Sequence, residues 1–287
     1  MRHKISRRGF LASAAAAGAL GILSPTAPAL AGGATPGSEL DFPLVDFHAH
    51  IEGSLTIEEA LRLAKERGVK LGIVEHAGFG EPIRNDADLQ RHLQKLSALP
   101  VYRGIQAEGL NWMNYFSKEA ICQLDYVLTD ALTFPEKDGR RVRLWTPEAK
   151  IVDQQDFMER YVDFNVQVIS SEPIDIFANP TFLPEAIASE YDTLWTKERM
   201  RKVIDAAVKH GVAIEINSRF RIPSLAFVRM AKDAGVKFSF GSNNHGTDVA
   251  KLDYSIKIAK ECGLTRQEMF TPQPPDKKPI LTRTWRA

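Results

Sequence analysis

The chain has 287 residues and carries 37 basic against 36 acidic side chains. That balance, with no long basic run beyond the N-terminal segment, excludes nucleic acid as an expected partner. The only cysteines, Cys122 and Cys262, give no disulfide scaffold and are expected to be small hydrophobes packed in apolar helical surroundings.

In chain order, residues 2–8 are basic and residues 11–23 are apolar and alanine-rich, too short a run to span a bilayer comfortably. Ala29-Leu30-Ala31 fits a small-x-small cleavage pattern, and Ser6-Arg7-Arg8-Gly9-Phe10-Leu11 resembles a twin-arginine export signal. Residues 1–31 are therefore expected to be a signal peptide handled by the twin-arginine translocase. The processed chain is expected in the periplasm or outside the cell, with no integral membrane anchor. An ordinary secretory signal is the alternative.

Residues 32–40 read as a flexible leader, and from 41 to 270 strand and helix signals alternate. Strands are expected at 44–47, 71–75, 102–107, 125–129, 174–178, 212–216 and 236–240. Helices are expected at 56–67, 86–98, 113–122, 154–170, 196–210, 224–234 and 248–262. Gly68, Gly211, Gly235 and Gly263 each follow a helix, where a left-handed cap belongs. Seven βα units with short connections predict an α/β fold with a parallel (β/α)7 TIM-like barrel rather than an open sheet. The proline-rich residues 271–287 read as an extended surface strap.

The first strand runs into Asp46-Phe47-His48-Ala49-His50-Ile51-Glu52-Gly53. Histidines at i and i+2 on a strand share a face, so His48 and His50 can reach one ion. In a parallel barrel, function gathers at the C-terminal ends of the strands. Beyond the first strand stand His48, His50 and Glu52, and beyond the second Glu75 and His76. Glu108 follows the third, Asp130 and Leu132 the fourth, and Asn179 the fifth. Asn217 and Arg219 follow the sixth, and Asn243, Asn244 and His245 the seventh. Imidazoles and carboxylates sharing one rim point to a metal site.

These residues resemble the PHP superfamily, the polymerase-and-histidinol-phosphatase fold, over nearly the whole processed chain. DFHAHIEGSLTIEEALRLAKERGVKLGIVEHA is similar to its His-x-His, acidic-Gly, helix and acidic-His opening. YRGIQAEGLNW is similar to the strand that ends in its bridging glutamate. HGVAIEINSR and MAKDAGVKFSFGSNNHG are similar to its last two strands. The resemblance implies a distorted seven-stranded barrel, divalent metals and phosphate-ester hydrolysis through a metal-bound water. It puts His48, His50 and Glu108 on a first metal and Glu52, His76 and His245 on a second, the ions being zinc, manganese or iron. Glu108 and His245 are the implied catalytic side chains, with Glu108 orienting or bridging the metals. Three positions depart from the family pattern: Leu132 and Asn179 replace histidines, and Asn243 replaces an aspartate. The third metal is therefore expected to be absent, and Asp130 is a possible substitute ligand. The opening alone also resembles adenosine deaminases, whose later motifs are missing.

The expected activity is that of a metal-dependent, phosphoesterase-like hydrolase acting on a small anionic substrate. Arg219 is expected to fork onto the anion, and Asn179 and Asn243 to contact the substrate. Trp112, Tyr115, Phe134 and Trp145 follow the third and fourth strands and offer stacking surface, with core packing as the alternative. Two other readings stay open. One is a hydrolase or lyase of a sugar-like molecule, and the other is a degenerate barrel that binds metal or ligand without turnover.

Overall fold

The alternating strand and helix signals become a closed parallel barrel in the computed structural model, which describes residues 40–283. The expected export signal and the leader as far as residue 39 lie outside the described residues, as do residues 284–287. The strands are β1 (Val45–His50), β2 (Lys70–Val74), β3 (His76–Ala77), β4 (Tyr102–Ala107), β5 (Tyr126–Thr129), β6 (Thr133–Pro135), β7 (Arg141–Arg143), β8 (Ile176–Phe177), β9 (Ala213–Asn217) and β10 (Phe238–Gly241). Around the barrel the order is β1, β2, β4, β5, β8, β9, β10 and back to β1, all parallel. β3 continues β2 past Glu75 and pairs with the upper half of β4, so the two act as one interrupted strand and the barrel has seven staves. β6 and β7 form a separate antiparallel hairpin.

The helices are α1 (Ile57–Glu66), α2 (Asp86–Leu96), α3 (Lys118–Ile121), α4 (Gln154–Ser171), α5 (Tyr191–Leu194), α6 (Lys197–His210), α7 (Leu225–Asp233), α8 (Asp253–Cys262) and α9 (Pro279–Thr282). Five of the six longer ones, all but α8, start at side-chain caps. Thr56, Asn85, Asp153, Thr196 and Ser224 each accept a backbone N–H of the first turn. Gly211 and Gly263 end α6 and α8 at φ +65° and +56°, where a side chain would be strained.

The structure corrects the expected elements in three places. The helix expected at 113–122 is broken, because Phe116 is extended and Ser117 begins α3 by accepting from Ala120 N–H. The last helix starts at Asp253 rather than 248, because Ala250 lies at φ +61° with its N–H held by Asp46. The tail is not wholly an extended surface strap, since Pro279–Thr282 is helical. Ile280 of α9 is buried, Lys278 reaches the carbonyls of Leu124 and Asp125, and Arg283 reaches those of Ile169 and Ile174. Both cysteines are free and half-buried against the core. Among the described residues no helix is long and apolar enough to cross a membrane.

Period-two alternation divides each strand between two packed regions. One set of side chains, including Ile105, Ile214, Ile216, Phe238 and Phe240, joins the large core under the helices. The other set fills the barrel: Phe47, Val74, Tyr126, Leu128, Ile176, Ala178 and Ala213, with Phe270 against them. Tyr126 occupies the axis because Gly72 and Gly104 make room. A methyl group on Gly104 would stand 2.4 Å from the ring, and one on Gly72 would stand 2.5 Å from the hydroxyl.

β1 carries the irregularity that builds the site. Asp46 pairs with Leu71 and Ala49 with Ile73, so β1 spends one residue more than β2 over this stretch. The consecutive residues Phe47 and His48 consequently both turn into the barrel, Phe47 onto Tyr102 and Tyr126, His48 onto Gln106 and Glu215. The bulge's backbone groups find side-chain partners. Tyr126 donates its hydroxyl to Phe47 O at 2.8 Å, and His48 N–H donates to Asp46 Oδ1 at 3.1 Å. Asp46 also accepts from Ser242 and from Ala250, which ties β1 to the chain leaving β10.

Candidate functional site

Above Tyr126 the barrel interior changes from apolar to polar. A cavity of about 360 Å³ opens there, lined by His50, Glu52, His76, Gln106, Glu108, Asp130, Leu132, Trp145, Asn179, Arg219, Phe220, Asn243 and His245. Of the residues expected as metal ligands, catalytic groups or anion and substrate contacts, all but His48 line this one cavity. A volume near the lower bound of small-molecule sites suits a small ligand rather than a polymer.

His48 lies underneath, 1% exposed, with Nδ1 2.7 Å from Glu215 Oε1 and Nε2 3.0 Å from Gln106 Oε1. Burial alone would strip its proton, but the charge and hydrogen bond of Glu215 outweigh that and hold the imidazole above its usual range. Burial likewise opposes ionisation of Glu215, and His48 overcomes it, so the carboxyl stays low. Glu215 Oε2 accepts from Asn179 N–H at 2.9 Å and from Asn217 Nδ2 at 3.0 Å. One buried carboxylate thus fixes β1, the end of β8 and β9. Neither Glu215 nor Gln106 was among the residues expected from the sequence. Both stand within their strands, below the rim.

His50 is held by its backbone. Asn244 accepts from His50 N–H at 2.8 Å and donates to His50 O at 2.8 Å, extending the β1–β10 contact with a side-chain amide. Burial, then the neighbouring His48 and His76, push the His50 imidazole well below its usual range, so it is neutral and keeps a lone pair. Its ring stacks on His76 at 4.9 Å between centroids. His76 Nδ1 meets Glu108 Oε1 at 2.9 Å. Burial resists protonation of His76, and Glu108 more than compensates, raising it. Glu108, placed beside His48 and His50 by the family pattern, therefore partners His76, while Gln106 reaches His48. At the outer edge His245 Nδ1 lies 2.5 Å from Glu52 Oε1.

The fifth to seventh staves supply amides, beside Asp130 from the fourth. Asn179 donates to Asp130 at 2.9 Å and accepts from Asn217 at 2.8 Å and from Asn243 at 3.4 Å. Burial, then Glu108, raise the Asp130 carboxyl to about 6. Asn179 and Asn243 take left-handed backbone at φ +49° and +44°, a conformation that asparagine tolerates better than most residues. Arg219 donates to Asn243 O at 3.3 Å and lies over Phe220. Of the four aromatics considered for stacking, Trp112 and Phe134 are core, Tyr115 is exposed beside Phe79, and Trp145 lines the cavity.

Among the described residues no group of three or more histidine, cysteine or acidic side chains is spaced as a ready ligand set. Imidazole and carboxylate are nonetheless donor types that divalent transition metals accept. His50 is neutral, and the Nδ1 of His76 is oriented by a carboxylate, a common way of presenting the other ring nitrogen to a metal.

No protein-family model matches the chain. It is similar to a probable phosphatase of Shewanella piezotolerans, 28% identical over 237 residues that cover 75% of this chain and 83% of the relative. A probable phosphatase of Shewanella frigidimarina is 24% identical over 254 residues, covering 80% and 90%. Among solved structures, an N-acetyl-D-glucosamine-6-phosphate deacetylase from Mycobacterium smegmatis aligns over 85% of this chain and 76% of its own at 14% identity and a TM-score of 0.41. A chain of an archaeal ribonuclease P with mature tRNA aligns over 80% and 98% at 13% identity and a TM-score of 0.37. The barrel and the relatives together support a phosphatase-like hydrolase.

Proposed function

We propose that the protein is an exported, metal-dependent hydrolase of small phosphate monoesters, of the PHP type. The observation that carries this reading is the meeting of His50, His76, Glu108, Glu52 and His245 with Arg219 around one cavity, in a chain whose relatives are named probable phosphatases. Water adds to phosphorus, the bond to the alcohol oxygen breaks, and the alcohol leaves with a proton.

Arg219 binds the phosphate's charge with its planar fork. It lines the same cavity as His50 and His76. His50, His76 and Glu108 would hold one divalent ion, and Glu52 and His245 would contribute to a second. Imidazole and carboxylate suit zinc, manganese or iron. Such an ion supplies Lewis acidity to the ester and acidifies water. Glu108 holds a proton at His76 Nδ1, and Glu52 does the same at His245 Nδ1. His48 and Glu215 fix the floor on which these groups stand. Leu132 and Trp145 shield one side of the cavity from solvent.

A second reading, a barrel that binds without turnover, is favoured by Gln106, Asn179 and Asn243, neutral side chains where a metal shell gains from charge.

The test is a phosphomonoester panel on purified protein, stripped by chelation and then reloaded with manganese, zinc or iron. Hydrolysis should require one or two equivalents of metal and fall by at least about 100-fold in His76→Ala, the scale on which orienting partners and ligands act. Absence of hydrolysis with every metal, alongside tight ligand binding, would establish the second reading instead.

A further inference from the structure

The cavity mouth is chemically two-sided, and the barrel's strand order makes it so. Running round the rim, β1, β2 with β3, and β4 supply His50, Glu52, His76 and Glu108. The remaining arc, fed by β5, β8, β9 and β10, supplies Asp130, Asn179, Asn243, Arg219 and His245 with Leu132, Trp145 and Phe220. The first arc is polar throughout. The apolar surface lies wholly in the second, beside the amides and Asp130, Arg219 and His245.

The hairpin builds the apolar part. Leu144 N–H donates to Leu132 O at 2.9 Å, Thr133 pairs with Arg143, and Phe134 pairs with Val142. The base of the hairpin therefore fixes Leu132 on one side and delivers Trp145 on the other. Phe134 anchors the hairpin in the core against Phe157, Tyr161 and Phe164. Trp145 is left 49% exposed, with the Arg143 guanidinium 5.9 Å from its ring centre. A half-exposed indole on a pinned hairpin at a cavity mouth offers a flat apolar surface with little ordering cost on binding.

A ligand that satisfies this arc needs an apolar face for Trp145 and Leu132 and a hydroxyl for the amide of Asn243, whose position Asn179 fixes from behind. An amide both donates and accepts, as a hydroxyl does, so the two pair without any charge. A pyranose or furanose ring has both properties, its C–H face apolar and its edge ringed with hydroxyls. A flat aromatic alcohol has the face without the hydroxyls. An acyclic alkyl or amino-acid alcohol lacks the rigid face. We infer that the alcohol released by this protein is a sugar, so that the substrate is a sugar phosphate, with Trp145 and Asn243 as specificity-determining residues. This inference rests on the phosphoesterase reading.

Two measurements on the full chain separate the two ideas. Calorimetry with a hexose monophosphate, its free hexose and an alkyl phosphate reads recognition without turnover. Steady-state kinetics on the two phosphates reads the reaction. The hexose phosphate should bind and react at least about tenfold better than the alkyl phosphate, the range that a few well-placed polar contacts supply. The ratio of the two kcat/KM values should fall at least about tenfold in Trp145→Ala, chiefly through KM, and recover most of that in Trp145→Phe. Equal use of both esters, or a ratio untouched by Trp145→Ala, overturns the sugar assignment while leaving the hydrolase standing. Hexose phosphate binding that depends on Trp145 without hydrolysis of any ester keeps the sugar assignment and ends the hydrolase reading. Free hexose binding nowhere, with tight inorganic phosphate binding, also overturns the sugar assignment.

Discussion

At the scale of single residues, Glu215 is the side chain on which most depends. It holds His48, the Asn179 backbone and Asn217 at once, while 1% exposed. Glu215→Gln keeps the shape and removes the charge. The His48 imidazolium then loses its counter-charge in a buried place, which costs about 3–5 kcal/mol. Urea unfolding should report that loss at neutral pH, and an unchanged midpoint would show that the pair is not ionised. The sequence held a signal for Glu215. In Ala213-Ile214-Glu215-Ile216-Asn217 a strand alternates isoleucine with a carboxylate and an amide, so the polar face points into the barrel. Glu215 and Gln106 lie inside their strands, short of the strand ends where function gathers in a parallel barrel. His50, His76, Glu108 and His245 were legible because they stand at or beyond the strand ends.

At the scale of elements, the bulge in β1 decides which way the histidines face. Its carbonyl depends on one hydroxyl, since Tyr126 is the donor to Phe47 O. Tyr126→Phe leaves that carbonyl buried without this partner and should destabilise the fold by about 1–3 kcal/mol. The same denaturant titration checks it. A change below about 0.5 kcal/mol would mean that another donor replaces the hydroxyl. Nothing in Val45 to His50 announces a bulge, because register is a relation between two strands and only one is visible in a local reading. The hairpin is different. Asp138-Gly139 is a turn signal between Thr133–Pro135 and Arg141–Arg143, and Gly139 sits at φ +83°. The strands flanking it are three residues each, too short for a period-two pattern to stand out.

At the scale of the whole molecule, seven βα units predicted the closed barrel, since repeated short crossovers leave few other arrangements. How the tail docks was not legible, because it depends on carbonyls at distant helix and strand ends. Asp175 lies in that region, near Lys278 and Arg283, and accepts from Val127 N–H at 2.8 Å. Burial raises its carboxyl from 3.8 to about 6 despite both cations. The native chain thus keeps a proton that the unfolded chain releases near pH 4. The stability this gives is full below that point, declines as pH rises, and is gone by about pH 6. The displaced range corresponds to about 3 kcal/mol. Between pH 4 and pH 7 the native protein should therefore lose about that much more stability than Asp175→Asn. Parallel pH profiles from urea titrations would refute it.

Tyr126, seated between Gly72 and Gly104 with Phe47 beside it and Phe270 against Phe47, closes the barrel from below. The cavity above is consequently floored by these rings, with its doorway at the rim. Whatever enters at the rim must back out at the rim, and a departing molecule stands in the path of the next arrival. Trp145 flanks that doorway, so the side chain that greets a newcomer is also the last one a leaver passes.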